Sequence, residues 1–214
     1  MTFLELVNHI MSRLREQTVT TLNATTFSTM ITNLTKDAYK IIEDAHDWSA
    51  LREEVTVNTV ASEPTVIITD TPPDSMIYYA YIAGDKELYR RTTPWLARQR
   101  INGISEGSPT SYILTGTDSV TGALKATLVD TPDDVYTITF DVCKRGSCPL
   151  LDDDVVLLPT DPILHLALAF ATRERGETGG TAAQEYLQIA NLSLGQAIAR
   201  DANHRPDEIT LYRG

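Results

Sequence analysis

The densest group of side chains that could hold a cation is Asp152-Asp153-Asp154. Loops that bind calcium or magnesium space their oxygen ligands at alternate positions around a glycine, because the chain has to wrap the ion. This run has neither the spacing nor the glycine, so it reads as a solvated acidic loop leading into the last helices. His46, in Glu43-Asp44-Ala45-His46-Asp47-Trp48, could act as a base oriented by a carboxylate, yet no nucleophile or oxyanion donor is identifiable beside it. The alternative is a helix C-terminus at which the imidazole hydrogen-bonds the unpaired carbonyls and Trp48 anchors the helix against the core. His165, one turn into an apolar helix, reads as a satisfied core residue rather than a ligand, and His9 and His204 stand alone. Cys143 and Cys148, in CKRGSC, cannot complete a four-ligand zinc site by themselves. In a reducing cytosol they are thiols flanking a turn at Gly146, with a hairpin disulfide formed after release from the cell as the alternative.

Motifs with a built-in mechanism are missing. Neither G-x-x-x-x-G-K-[ST] nor G-x-G-x-x-G occurs, and Gly176 to Gly180 falls between two helical stretches rather than after a strand. H-E-x-x-H and the nucleophile elbow G-x-S-x-G are absent too. The sequence therefore predicts no catalytic residue, no metal and no cofactor.

Composition narrows the class further. The 214 residues are 42% hydrophobic and 22% charged, values of an ordinary folded chain long enough for a real core. Lys and Arg number 18 against 29 Asp and Glu, a formal charge of -11. Sequence-independent DNA binders neutralise phosphates with a basic face, and this balance predicts none. Polar residues interrupt MTFLELVNHIMSRLREQ every few positions, so no signal peptide is expected there, and no run approaches the ~20 apolar residues of a membrane span.

The elements that must position these groups follow from periodicity. Thr2 and Glu5 form a capping box, and Phe3, Leu6, Val7, Ile10, Met11 and Leu14 recur at helical spacing, predicting a helix to about Glu16. A second helix is read from the stripe Phe27, Met30, Ile31, Leu34, Ala38, Ile41, Ala45 and Trp48. From Glu54 the period falls to two. Strands are predicted at 54–60, 65–69, 77–82, 111–115, 123–129 and 135–140, with a short helix near Trp95 to Ile101 and turns at Pro72-Pro73, Gly84-Asp85, Gly107-Ser108-Pro109 and Pro132-Asp133. Thr160 or Asp161 caps a third bundle helix with Pro162 at its first position, and Ile163 to Ala171 is apolar nearly all round, which makes this helix central. It ends near Gly176; Gly179-Gly180 turn the chain, Thr181 and Gln184 make another capping box, and Leu187, Ala190, Leu194, Ala197 and Ile198 mark the last helix. The remainder, with Pro206 and five charged side chains, has no helical stripe, yet holds Ile209, Leu211 and Tyr212. A tail of this kind is expected to order only on a partner, where its apolar groups gain the burial they lack alone.

The expected fold class is α+β: an antiparallel helical bundle of about four helices, carrying an inserted antiparallel β subdomain and an extended C-terminal tail. The expected bounds are 1–51 and 151–201 for the two helix pairs, 52–150 for the insertion and 202–214 for the tail.

Several separated segments together resemble the head-to-tail adaptors of tailed phages, also called tail tubular A or head completion proteins. They are Ile41-Ile42-Glu43-Asp44-Ala45-His46-Asp47-Trp48-Ser49-Ala50-Leu51-Arg52; Gly107-Ser108-Pro109-Thr110-Ser111-Tyr112; Leu128-Val129-Asp130-Thr131-Pro132-Asp133; and Tyr136-Thr137-Ile138-Thr139-Phe140. Leu158 to Ile163, Ala167-Leu168-Ala169-Phe170, Glu174-Arg175-Gly176 and Asp207-Glu208 complete the order of parts. The resemblance implies a non-enzymatic virion protein, assembled in the host cytoplasm and sitting in the neck between portal and tail. It implies a ring of about twelve copies whose lumen passes DNA without specific binding, an acidic wall repelling phosphate. Its partners would be the portal and the tail nozzle or next tail-ring protein, with no membrane involved. By that carry-over Arg205, Pro206, Ile209, Leu211, Tyr212 and Arg213 read the portal. The rival expectations are another neck or tail-ring component and, from a different class, a small hydrolase or carbohydrate-binding module built on the β part.

Overall fold

A computed structural model describes residues 1–83, 86–103, 105–176 and 181–202. The chain is mixed α+β, with five α-helices and two mainly antiparallel sheets among the described residues, divided into two compact units. One unit is Leu51–Gly146; the other joins Met1–Ala50 to the described residues after Gly146.

In the helical unit, α1 (Phe3–Arg13) starts on the predicted capping box: the Thr2 amide donates to Glu5 Oε2 at 2.9 Å and the Glu5 amide to Thr2 Oγ1 at 3.2 Å. Phe3, Leu6, Val7, Ile10 and Met11 form its buried stripe. α2 (Thr26–Asp44) starts on a second capping box, Thr25 with Ser28. Its buried face is the predicted one only in part, with Ile31 and Ala38 buried as expected. Ser28, Ile31, Thr32, Thr35, Tyr39 and Ile42 turn inward, whereas Met30 and Leu34 are half-buried and Ile41 is exposed. Hydroxyls that return their proton to the helix are cheap to bury, and Thr35 Oγ1 donates to the Ile31 carbonyl at 2.7 Å, so an apolar count misses this face. The helix also ends at Asp44, and Trp48 lies beyond it.

α4 (Thr160–Glu174) packs against α1, α2 and α5 (Thr181–Ala202), the central place its sequence predicts, with Ile163, Leu164, Ala167, Leu168 and Ala171 buried. It begins at Thr160 after Pro159, without a side-chain cap, so Thr160 and Asp161 lie inside the helix and Pro162 is its third residue. Gly176, at φ +83°, closes it in a conformation that favours glycine, its amide reaching the Arg173 carbonyl at 3.1 Å. The predicted turn Gly179-Gly180 lies outside the described residues. α5 buries Ala183, Ala190 and Ala197, one heptad apart, against α4; the expected anchor Leu187 is exposed, as are Ile189 and Leu192. Asp201 and Ala202, predicted in or at the edge of the tail, are helical.

In the β unit, strands β1 (Arg52–Asn58), β8 (Thr137–Cys143), β3 (Met76–Ile82) and β4 (Lys86–Glu87) form one sheet in that order. β2 (Thr65–Ile68), β7 (Leu124–Leu128), β6 (Ser111–Thr117) and β5 (Tyr89–Arg90) form the other. Alternate residues of both sheets meet in one core, with Val55, Ile138 and Phe140 from the first and Val66, Ala126 and Tyr112 from the second. Tyr112 and Phe140 meet edge to face at 5.6 Å. Between β1 and β8 the outward residues are polar, as the period of two requires: Thr56 pairs with Thr139 and Glu54 with Asp141. Two departures from expectation sit together. β4 and β5 are two-residue strands too short and polar to show a period, and β5 runs parallel to β6, so the subdomain is not wholly antiparallel. α3 (Thr93–Asn102) follows β5 and lays Leu96 and Trp95 on Ile113 and Val129. The predicted turn Gly84-Asp85 lies outside the described residues.

Candidate functional site

Among the described residues, histidine, carboxylate and hydroxyl converge at the end of α5, within the helical unit. Ser49 opens a 3-10 turn, Ser49–Leu51, just after α2. Its amide and hydroxyl both donate to Asp201, and Nε2 of His46 lies 3.1 Å from Asp201 Oδ2. A carboxylate only accepts, so Nε2 carries the proton. Burial by itself would raise the Asp201 carboxyl, but the hydrogen bonds from Ser49 and His46 outweigh it and hold the group below the ordinary carboxylate range. The order of these contacts decides their chemistry. Nucleophile activation needs an imidazole between hydroxyl and carboxylate, so that it can take the proton. Here the carboxylate stands in the middle, and His46 has no path to the Ser49 hydroxyl. The group is a clasp tying the last turn of α5 to the loop after α2.

The sequence placed His46 at a helix end but gave it the wrong partner. Trp48 reaches a last-turn carbonyl instead, its buried indole donating at 2.8 Å to Ile42, which also accepts from the Ala45 amide at 3.3 Å, while His46 packs edge-on against the ring at 5.0 Å. The indole is long enough to reach back a full turn, and the imidazole is claimed by the stronger acceptor, Asp201.

A second polar cluster lies under α2. Buried Glu43 accepts from the Ser147 amide at 2.9 Å and hydroxyl at 2.7 Å. Ser147 has one hydroxyl proton, already given to Glu43, so the Tyr39 hydroxyl 3.0 Å away must donate to Ser147. Burial pushes the Tyr39 phenol up to about 12. Neighbouring Cys148 is also raised by burial, which keeps its thiol protonated and unreactive. Cys143 is buried in the β unit, and neither cysteine is in a disulfide.

The acidic run is not simply solvated. Asp152 Oδ1 accepts from the Leu22 amide at 3.1 Å, and Asp154 Oδ2 from the amides of Leu150 and Leu151, both at 2.7 Å, which lowers the Asp154 carboxyl. Asp153 alone is exposed. Among the described residues no group of three or more potential ligands could hold a metal ion. His165 is half-buried rather than a satisfied core residue: among the described residues Nδ1 has no hydrogen-bond partner, and the ring stacks on Tyr186 at 6.4 Å. Desolvation, helped by Arg13, lowers it, so it is neutral at ordinary pH.

Surfaces are more distinctive than clefts. Beside the clasp a groove of about 390 Å³ is lined by Trp48, Leu157, Pro159, Ala197 and Arg200. Leu150, Leu151, Val155 and Leu157 lie exposed along the segment before α4. In the β unit, Arg90, Arg91 and Arg98 are exposed beside Tyr89 and Trp95. That corrects the expectation that no basic face exists, since net charge averages over the chain and hides a local excess.

Compared with known protein families, residues 1–210 match the SU10 adaptor protein family. The chain belongs to that family. No curated protein matches it. The adaptor is accordingly a phage structural protein and a virion component, and proteins of this family are typically not enzymes. No described helix of the adaptor is long and apolar enough to cross a membrane. The six residues expected to read the portal, Arg205, Pro206, Ile209, Leu211, Tyr212 and Arg213, lie outside the described residues, as does His204. The last three of the six also lie beyond the matched span.

Proposed function

We propose that this adaptor forms a ring that docks on the portal, joins the DNA-filled head to the tail and lines the DNA exit channel. The family match, which runs through both the helical and the β unit, carries the reading. The helices of Met1–Ala50 and of the stretch after Ser147 act as one four-helix bundle around α4, with residues 52–150 as its insertion. The polar clusters support a structural role over the hydrolase alternative, because the nearest approach to a triad has its carboxylate in the nucleophile's path. Apolar side chains exposed on α5 and before α4 suit subunit contacts, which need area rather than a cleft. In this reading about twelve copies close by heterologous contacts, and a net acidic lumen lets phosphates pass.

Residues 203–214 form the portal-docking arm, with Arg205, Pro206, Ile209, Leu211, Tyr212 and Arg213 making the contacts, and the clasp at Asp201 fixes its root. Mixing the purified chain with the portal of the same phage and imaging by electron microscopy tests this: a ring is expected on the portal's tail side. Removing 203–214 should abolish docking while leaving the fold unchanged. Docking that survives the deletion refutes the arm, and a chain that binds only further down the tail refutes the portal as partner in favour of another tail-ring role.

A further inference from the structure

The exposed surface of β5 and α3 is chemically unlike the rest of the molecule. Residues 86–100 hold five of the chain's 18 Lys and Arg but one of its 29 Asp and Glu, leaving 13 basic against 28 acidic residues elsewhere. Lys86, Arg90, Arg91 and Arg98 are all exposed. Three cations elsewhere are held in ion pairs, Arg52 with Asp141, Lys144 with Glu53 and Arg175 with Glu16. Among the described residues, no carboxylate forms an ion pair with Arg90, Arg91 or Arg98.

The patch is also built rather than merely charged. The Arg91 guanidinium lies over two rings, 5.4 Å from the Tyr89 centroid and 5.1 Å from that of Trp95. Its Nε reaches the Ser111 hydroxyl at 3.4 Å. Stacking fixes the plane of the guanidinium at little entropic cost and leaves its terminal N–H groups for a planar acceptor. Arg98 follows Trp95 by one helical turn, and Tyr89 is 55% exposed. Arginine, tyrosine and tryptophan with a single lysine is the composition of an interface anchor.

We infer that this face, centred on Arg91 between Tyr89 and Trp95, docks a carboxylate-rich surface of a second copy of the chain. The choice of partner rests on charge. A duplex approaching the chain meets the repulsion of its 28 other carboxylates, whereas each copy brings both the basic face and an acidic remainder. A basic patch meeting a different, acidic patch is a heterologous contact, the kind that generates rings. The inference rests on the ring reading above and assigns one side of its subunit contact.

Sedimentation velocity of the full chain tests it. Self-association should weaken roughly tenfold or more as salt rises from about 50 to about 300 mM. Arg90→Glu with Arg98→Glu, both at exposed positions, should weaken it at least roughly tenfold at the lower salt with an unchanged circular dichroism spectrum. Arg91→Lys should weaken it less, because it keeps the charge and loses the fork. A labelled double variant should still bind the wild-type chain through its intact acidic surface, but not itself. Variants that associate like wild type overturn the inference, as does a wild-type chain that stays monomeric at low salt. Loss of binding to duplex DNA of about 30 base pairs with self-association unchanged would make the face a nucleic-acid site instead. In each of these cases a ring still forming on the portal leaves the proposed function standing.

Discussion

Replacing Asp201 by alanine removes the acceptor for three donors at once: the Ser49 amide at 3.1 Å, the Ser49 hydroxyl and His46 Nε2. Hydrogen bonds to a charged group contribute about 1.5–3 kcal/mol each, but Ser49 and His46 are half-buried and recover water when the carboxylate leaves. The Asp201 side chain is 11% exposed, so screening is modest, and the net cost of Asp201→Ala should be about 2–3 kcal/mol at about pH 7. Asp201→Asn keeps one accepting oxygen and should cost about 1 kcal/mol. The carboxyl is depressed in the folded state, so its contribution is complete above the unfolded value of about 3.9 and is lost as pH falls through the folded value. The gap between wild type and Asp201→Ala should therefore persist down to about pH 5 and shrink below about pH 4. Urea unfolding followed by Trp48 fluorescence in a Trp95→Phe background reads the helical unit by itself. Equal stability of wild type and Asp201→Ala at neutral pH, or a gap that ignores pH, would refute the clasp.

Glu43→Ala leaves the Ser147 amide and hydroxyl without their acceptor in a buried site and should cost about 3 kcal/mol by the same urea assay, with Glu43→Gln costing less. Tyr39→Phe removes a single neutral hydrogen bond at about 1 kcal/mol, and spectrophotometric titration should lose the phenol displaced to about 12. Phe140→Ala empties the centre of the β core and should cost about 3–5 kcal/mol, visible as a separate early transition in calorimetry while Trp48 fluorescence still reports an intact helical unit.

What was legible in the sequence tracks where one physical signal dominates. The Thr2–Glu5 box, the all-apolar α4 and the alternation at 135–140 each state burial directly, and the structure follows the first two and sets the strand two to three residues later, at Thr137–Cys143. The inward face of α2 was hidden because Ser28, Thr32 and Thr35 look polar in a string of letters, and only the helix geometry lets their hydroxyls reach backbone carbonyls or a cap. β4 and β5 were hidden by length, since two residues carry no period. The clasp could not be read at all, joining positions 49 and 201 across 152 residues of sequence. The basic face was readable from the run at 86–100, but a chain-wide charge of -11 drew attention away from it.

The reactive-looking side chains share one fate, and it bears on function more than any missing motif. Asp201 is occupied by the loop after α2, Glu43 by Ser147, and Asp152 and Asp154 by backbone amides at the start of the chain's loops. A catalytic group has to keep a lone pair or a proton available to a ligand, and its neighbours have to leave it poorly satisfied until that ligand arrives. These carboxylates do the opposite: each accepts two or three donors from its own unit or holds a backbone amide in place, which fixes loops between helices. The loop held by Asp152 and Asp154 carries the exposed leucines before α4. Polar groups spent on holding loops rigid, with apolar and arginine side chains left facing outward, is the distribution expected of a part that works by fitting against other proteins.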